Sequence, residues 1–155
     1  MGKTVKGQAR NSKRVPIQQK PTSKTVSRQP LPDTGERIIW SFSDVDRDGK
    51  FAFNPKEIDC QKLLEKLIDF SSMKWSELVP MDGGKSPHHR LSPQALSAEA
   101  KARIKAKGLE EESDAIFSFR LSNKERLIGI RNGVIFKAIW YDANHEFAPS
   151  HLRNT

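Results

Sequence analysis

The Asn132-Gly133 pair, set between two runs of β-branched and aromatic residues, constrains this chain more than any other feature. Both residues tolerate positive φ, so the pair favours a type I′ hairpin turn from which strand register can be counted outward. From Ala115 to Glu146 the chain reads AIFSFRLSNKERLIGIRNGVIFKAIWYDANHE, three such runs split by Ser122-Asn123-Lys124-Glu125 and by Asn132-Gly133. That pattern predicts a three-stranded antiparallel meander.

Counting from the Asn-Gly turn pairs Arg131 with Val134, Gly129 with Phe136, Leu127 with Ala138 and Glu125 with Trp140. Ile128, Ile130, Ile135, Ile139 and Tyr141 then share the opposite, core-facing side, interrupted by Arg126 and Lys137. A first turn centred on Asn123-Lys124 pairs Leu121 with Arg126 and adds Phe117, Phe119 and Leu121 to that core side. Arg120, Arg131, Phe136 and Trp140 fall together on the other side. A face that mixes guanidinium groups with aromatic surface suits phosphates and stacked bases.

Charge is distributed unevenly. Residues 1–35 hold eight lysines and arginines against one acid, Asp33, and so carry seven of the eight net positive charges. This stretch is rich in Ser, Thr, Gln and Pro, with few aliphatic side chains and no period, which predicts a disordered basic tail of residues 1–35 ahead of a single domain over 36–155. Such an arm adds salt-sensitive affinity for nucleic acid; a solubilising linker or a contact for an acidic protein fits the same composition. No apolar run reaches the roughly 20 residues of a membrane span, and no secretory h-region is present. One cysteine, Cys60, excludes an internal disulfide, and the expectation is a cytoplasmic chain with Cys60 buried on a helix.

The remaining elements follow from local signals. RIIWSF, after Glu36, reads as a first strand that continues, as a hairpin, through Phe51-Ala52-Phe53. Asn54 and Pro55 open a helix to about Ser71 with a stripe of Ile58, Leu64, Leu67 and Ile68. A second helix runs from Ser92 or Ser97 to Lys107 and stops at Gly108. The expected fold is α+β: an antiparallel sheet of about four strands with two helices on one face, in the order βααβββ.

That order, with R-x-L…I-x-I-R-N-G-V-I-F-K-x-I-W leading to a strand exit with Tyr141, His145 and Glu146, resembles the RelE/ParE superfamily of bacterial toxins over residues 36–148. The resemblance implies a RelE-like toxin of a toxin-antitoxin system, an endoribonuclease that cuts messenger RNA at the ribosome and is neutralised by a cognate antitoxin protein. ParE-like relatives of the same fold poison DNA gyrase instead. By resemblance, Arg120 or Arg131 matches the phosphate-clamping arginine, and Tyr141 or His145 the terminal-strand acid/base position.

Metal-independent RNA cleavage needs a base for the 2′-OH proton, an acid for the leaving 5′-oxygen and cations on the phosphorane. Histidine serves either proton role near its ordinary pKa. His88-His89-Arg90 precedes the second helix, where it can swing over the sheet edge, and His145 follows the last strand, so His89 with His145 is the first pair to consider. The candidate set is therefore His89, His145 and Tyr141 for chemistry, and Arg120, Arg131, Trp140, His88 and Arg90 for RNA and phosphate, with no metal or other cofactor. Asp44-Val-Asp-Arg-Asp-Gly opens like an EF-hand loop, but its twelfth position is Pro55 and a strand precedes it. It reads as a polar turn, with weak calcium binding as the alternative. A non-catalytic module that binds nucleic acid or protein is the competing function.

Overall fold

The computed structural model describes Gly2 and residues 35–80 and 85–150; the expected basic tail otherwise lies outside the described residues. The elements are β1 (Ile39–Ser41), α1 (Cys60–Ser72), α2 (Trp75–Leu78), β2 (His89–Arg90), α3 (Ala98–Ala106), β3 (Ile116–Arg120), β4 (Arg126–Asn132) and β5 (Ile135–Asp142). Short 3₁₀ turns lie at Pro93–Ala95 and Glu110–Ala115. The class is α+β, as expected, and the meander β3-β4-β5 forms. The sheet nevertheless has five strands in the order β1-β5-β4-β3-β2, and β1 runs parallel to β5, so the purely antiparallel, roughly four-stranded expectation is corrected.

The second correction concerns the layers. Leu63, Leu67 and Phe70 of α1, with Trp75 and Leu78 of α2, cover one face of the sheet over Phe117, Phe119, Leu121, Leu127, Phe136, Ala138 and Tyr141. Ala100 and Ile104 of α3, with Phe51, Leu91, Leu96 and Phe147, cover the other over Ile116, Ile128, Ile130, Ile139 and Trp140. Helices therefore lie on both faces, and the open aromatic face does not exist. At about 1.5–3 kcal/mol for each large apolar side chain removed from water, both faces are strongly driven to be covered.

The hairpin loop differs from expectation without changing faces, while the first loop and a β-bulge move residues to the other side. The hairpin loop is Gly133-Val134, flanked by paired Asn132 and Ile135; only the glycine takes a positive φ, 62°, in the first central position that a type II′ turn uses. The first loop is one residue longer than expected, so Arg120, not Leu121, faces Arg126. A one-residue slip exchanges the two faces of a strand. A β-bulge then breaks the β4–β5 register between Ile128 and Gly129, setting Ile128 opposite Trp140 and Gly129 opposite Ala138. A Cβ on Gly129 would lie 1.9 Å from the Lys137 carbonyl oxygen, so the ladder at this point requires glycine. The extra residue returns Tyr141 to the α1 side.

Helix boundaries follow side-chain caps. Asp59, whose carboxylate accepts the Lys62 N–H at 3.1 Å, starts α1, while Asn54 closes only a turn before it. Ser97 caps α3 through the Ala100 N–H at 3.2 Å, and Gly108 follows it with φ 67°, as the sequence predicts. Cys60, Leu64 and Ile68 face solvent on α1, against the expectation of burial. Phe51 to Phe53 form no strand; their loop runs along β5, with the Tyr141 N–H donating to the Phe51 carbonyl at 3.0 Å. No helix among the described residues is long and apolar enough to cross a membrane.

Candidate phosphate-binding site at one end of the sheet

Arg120 ends β3 and Arg126 begins β4, and the two are direct cross-strand partners. Like charges set opposite one another on a ladder destabilise it. The Arg126 side chain is also deeply buried, with the residue 7% exposed. Both guanidinium groups fold onto carbonyls of the loop between them. Arg120 Nε donates to Ser122 O at 3.1 Å, and Arg126 Nη1 donates to Ser122 O and Glu125 O, both at 2.9 Å. Neither arginine forms an ion pair with a carboxylate among the described residues. Burial, and then the charge of Arg120, push the Arg126 pKa down, with Asp142 acting in the opposite sense. Two adjacent cations with no carboxylate in direct ion-pair contact among the described residues make a site that favours an anion.

Asp142, the last residue of β5 and the partner of Arg126, serves another purpose. Its buried carboxylate accepts N–H groups from Asn144 at 3.3 Å, Glu146 at 3.0 Å and Phe147 at 2.8 Å. These bonds hold the turn in which His145 sits at φ 58°, the one non-glycine residue with positive φ among the described residues. Such a conformation costs free energy and collects at functional positions. Burial and the charge of Arg126 lower the His145 pKa, Asp142 opposes them, and His89 and Arg120 lower it further. His89, exposed at the start of β2 opposite Ser118, therefore belongs to the same electrostatic cluster. The end of the sheet thus brings together His89, Arg120, Arg126 and His145 from β2, β3, β4 and the segment after β5.

The other sequence candidates separate from this group. His88 is buried against Phe70 and Phe119, with ring centroids at 4.9 and 5.2 Å, and its Nδ1 accepts the Arg120 N–H at 3.1 Å. Burial, then the charges of His89, Arg126, Arg120 and Lys66, lower its pKa to about 4, so it is a neutral tie between the segment leading into β2 and β3 rather than a phosphate ligand. Arg90 is exposed on β2, but strand alternation sends it away from His89. Arg131 lies near the other end of β4, its guanidinium 3.9 Å from the centre of the Trp75 ring and its Nε donating to Gly133 O at 3.1 Å. It locks the hairpin to α2.

Trp140 is fully buried and cannot stack on a base; its Nε1 donates to Asp46 Oδ2 at 2.9 Å. That carboxylate also takes two bonds from Arg103, each 2.8 Å. Burial alone would raise the Asp46 pKa, but the bonds from Arg103, Asp48 and Trp140 hold it below the ordinary value. The middle aspartate of the Asp44-Asp46-Asp48 segment is thus an ion-pair partner, and no cluster suited to a metal occurs among the described residues.

Tyr141 lies on the α1 side of the sheet, and its hydroxyl donates to Glu125 Oε1 at 2.5 Å. Burial and that bond raise the tyrosine pKa, so it is not a base at neutral pH. Sequence reasoning misses Arg126, which reads only as an interruption of a core run, and Asp142. The available signal is a charge interrupting an apolar strand beside a loop. No family model matches the chain, and neither does any curated protein or solved structure.

Proposed function

We propose that this chain is a metal-independent endoribonuclease of the toxin type, acting on messenger RNA and held in check by a partner protein. The observation that supports this most is the Arg120–Arg126 pair, without a direct carboxylate partner among the described residues, at the same end of the sheet as two imidazoles, His89 and His145. Arg126 and Arg120 hold the scissile phosphate and stabilise charge on the phosphorane. His145, with its pKa below the ordinary 6.5, is neutral at pH 7 and takes the 2′-OH proton. The 2′-oxygen attacks phosphorus, the 5′-oxygen leaves with a proton from His89, and the products are a 2′,3′-cyclic phosphate and a 5′-hydroxyl.

The test is incubation of the purified chain with naked and ribosome-bound messenger RNA in the presence of a chelator, alongside induced expression in a bacterial host. Cyclic-phosphate ends and arrested growth are expected. Intact RNA that stays bound to the protein would make the chain a non-catalytic binding module. Growth arrest with intact RNA and blocked supercoiling would make it a gyrase poison.

A further inference from the structure

The loop from Leu121 to Glu125 has a second side. Its carbonyls hold Arg120 and Arg126, while the side chains of Leu121, Ser122 and Glu125 line a cavity of about 340 Å³ against α1. Asp59, Lys62, Leu63, Lys66 and Tyr141 are among the residues that complete it. This volume lies within the range of about 300–1,000 Å³ usual for small-ligand sites.

We propose that this cavity is a base-recognition subsite selective for guanine, on the other side of the loop that holds the arginine pair. The assignment to RNA rests on the proposed function; the selectivity rests on the cavity itself. Glu125 Oε1 accepts the Tyr141 hydroxyl at 2.5 Å, which fixes the carboxylate against the aromatic ring. The Tyr141 and Ser122 hydrogen bonds keep Glu125 ionised, below the usual carboxylate range, although burial opposes them. A fixed carboxylate accepts two hydrogen bonds from neighbouring donors. Guanine presents such a pair, N1–H beside the N2 amino group; adenine, cytosine and uracil each place an acceptor next to their donor.

Guanine also carries O6 and N7 acceptors, which lysine recognises. Lys62 and Lys66 stand one helical turn apart on the cavity wall. Lys62 is shared with Asp59 at 3.8 Å, whereas Lys66 forms no ion pair among the described residues. Leu63, Leu121 and the Tyr141 ring supply apolar surface for the base plane.

The experiment is an NMR titration of the full chain with the four free nucleosides at millimolar concentration, which removes phosphate and cleavage from the readout. Guanosine should bind at least about tenfold more tightly than adenosine, cytidine or uridine, a difference of about 1.4 kcal/mol. Glu125→Gln, which still accepts from Tyr141, should lose that preference, and the exposed Lys66→Met should weaken guanosine several-fold. Equal binding of all four nucleosides, no guanosine binding, or an unchanged preference in folded Glu125→Gln would overturn the proposal. Should that variant not fold, the wild-type ranking and Lys66→Met decide. Guanosine selectivity in a chain that leaves RNA intact would keep the subsite and discard the nuclease. Cleavage without guanosine selectivity would do the reverse.

Discussion

Arg126 carries an electrostatic cost that its neighbours do not remove, since Arg120 stands opposite and no carboxylate pairs with it among the described residues. Replacing even a buried ion pair with apolar side chains of similar volume is often neutral or stabilising, and Arg126 is a buried charge without the pair. Arg126→Met should therefore leave the urea unfolding midpoint unchanged or raised, while phosphate affinity falls by about 1–3 kcal/mol. A strongly destabilised variant would show that Arg126 is structural. Inorganic phosphate should stabilise the wild type and not the variant. His88 gives a second residue-scale test. Its folded pKa of about 4 lies below the ordinary 6.5, so the unfolded chain binds the proton first as pH falls. The contribution, on the order of 3 kcal/mol, is complete above pH 6.5 and is lost as pH falls through about 4. His145 shifts in the same direction. His88→Gln should flatten the part of the pH 7-to-4 stability slope due to residue 88, measured by denaturant titration at each pH.

The elements depend on interactions that join them across the sheet, and the one among Asp46, Arg103 and Trp140 is the most open to test. Asp46 comes from the loop after β1, Arg103 from α3 and Trp140 from β5, so one carboxylate ties three parts of the chain together. Asp46→Ala should cost about 3–5 kcal/mol, because it leaves a partly buried guanidinium and a buried indole N–H unpaired. An effect below about 1 kcal/mol by thermal unfolding would show that the network is dispensable. Much at this scale is legible in the sequence: the meander, the Ser97 cap, the Gly108 stop and the polar Asp-Gly turn all depend on local chemistry. The assignment of faces is not. Both sides of β3 to β5 are apolar, so alternation does not mark an outer side, and one extra loop residue plus the Gly129 bulge moves Phe136 and Trp140 into cores. The same slips separate Arg131 and Tyr141 from the site. Arg120 and His89, in paired strands, and His145, beyond the end of β5, stay within it because all three lie toward the same end of the sheet whichever face a slip assigns them.

At the scale of the molecule, two charge distributions bear on the proposed RNA binding. The four-residue cluster of arginines and histidines is local, while residues 1–35 hold seven of the eight net charges. Replacing the eight basic residues of that segment with glutamine should weaken single-strand RNA binding and reduce its salt slope by about 0.7 for each phosphate that the segment neutralises. The cleavage site should not change. An unaltered slope would show that the segment neutralises no phosphates. The central claim is that His145 does chemistry and Arg126 holds phosphate, and the direct measurement is RNA affinity and single-turnover cleavage rate for wild type, His145→Gln and Arg126→Met. His145→Gln should bind RNA nearly normally and cleave about 10²–10⁴-fold more slowly, while Arg126→Met should lose affinity and rate together. Equal, small effects at both positions would contradict it.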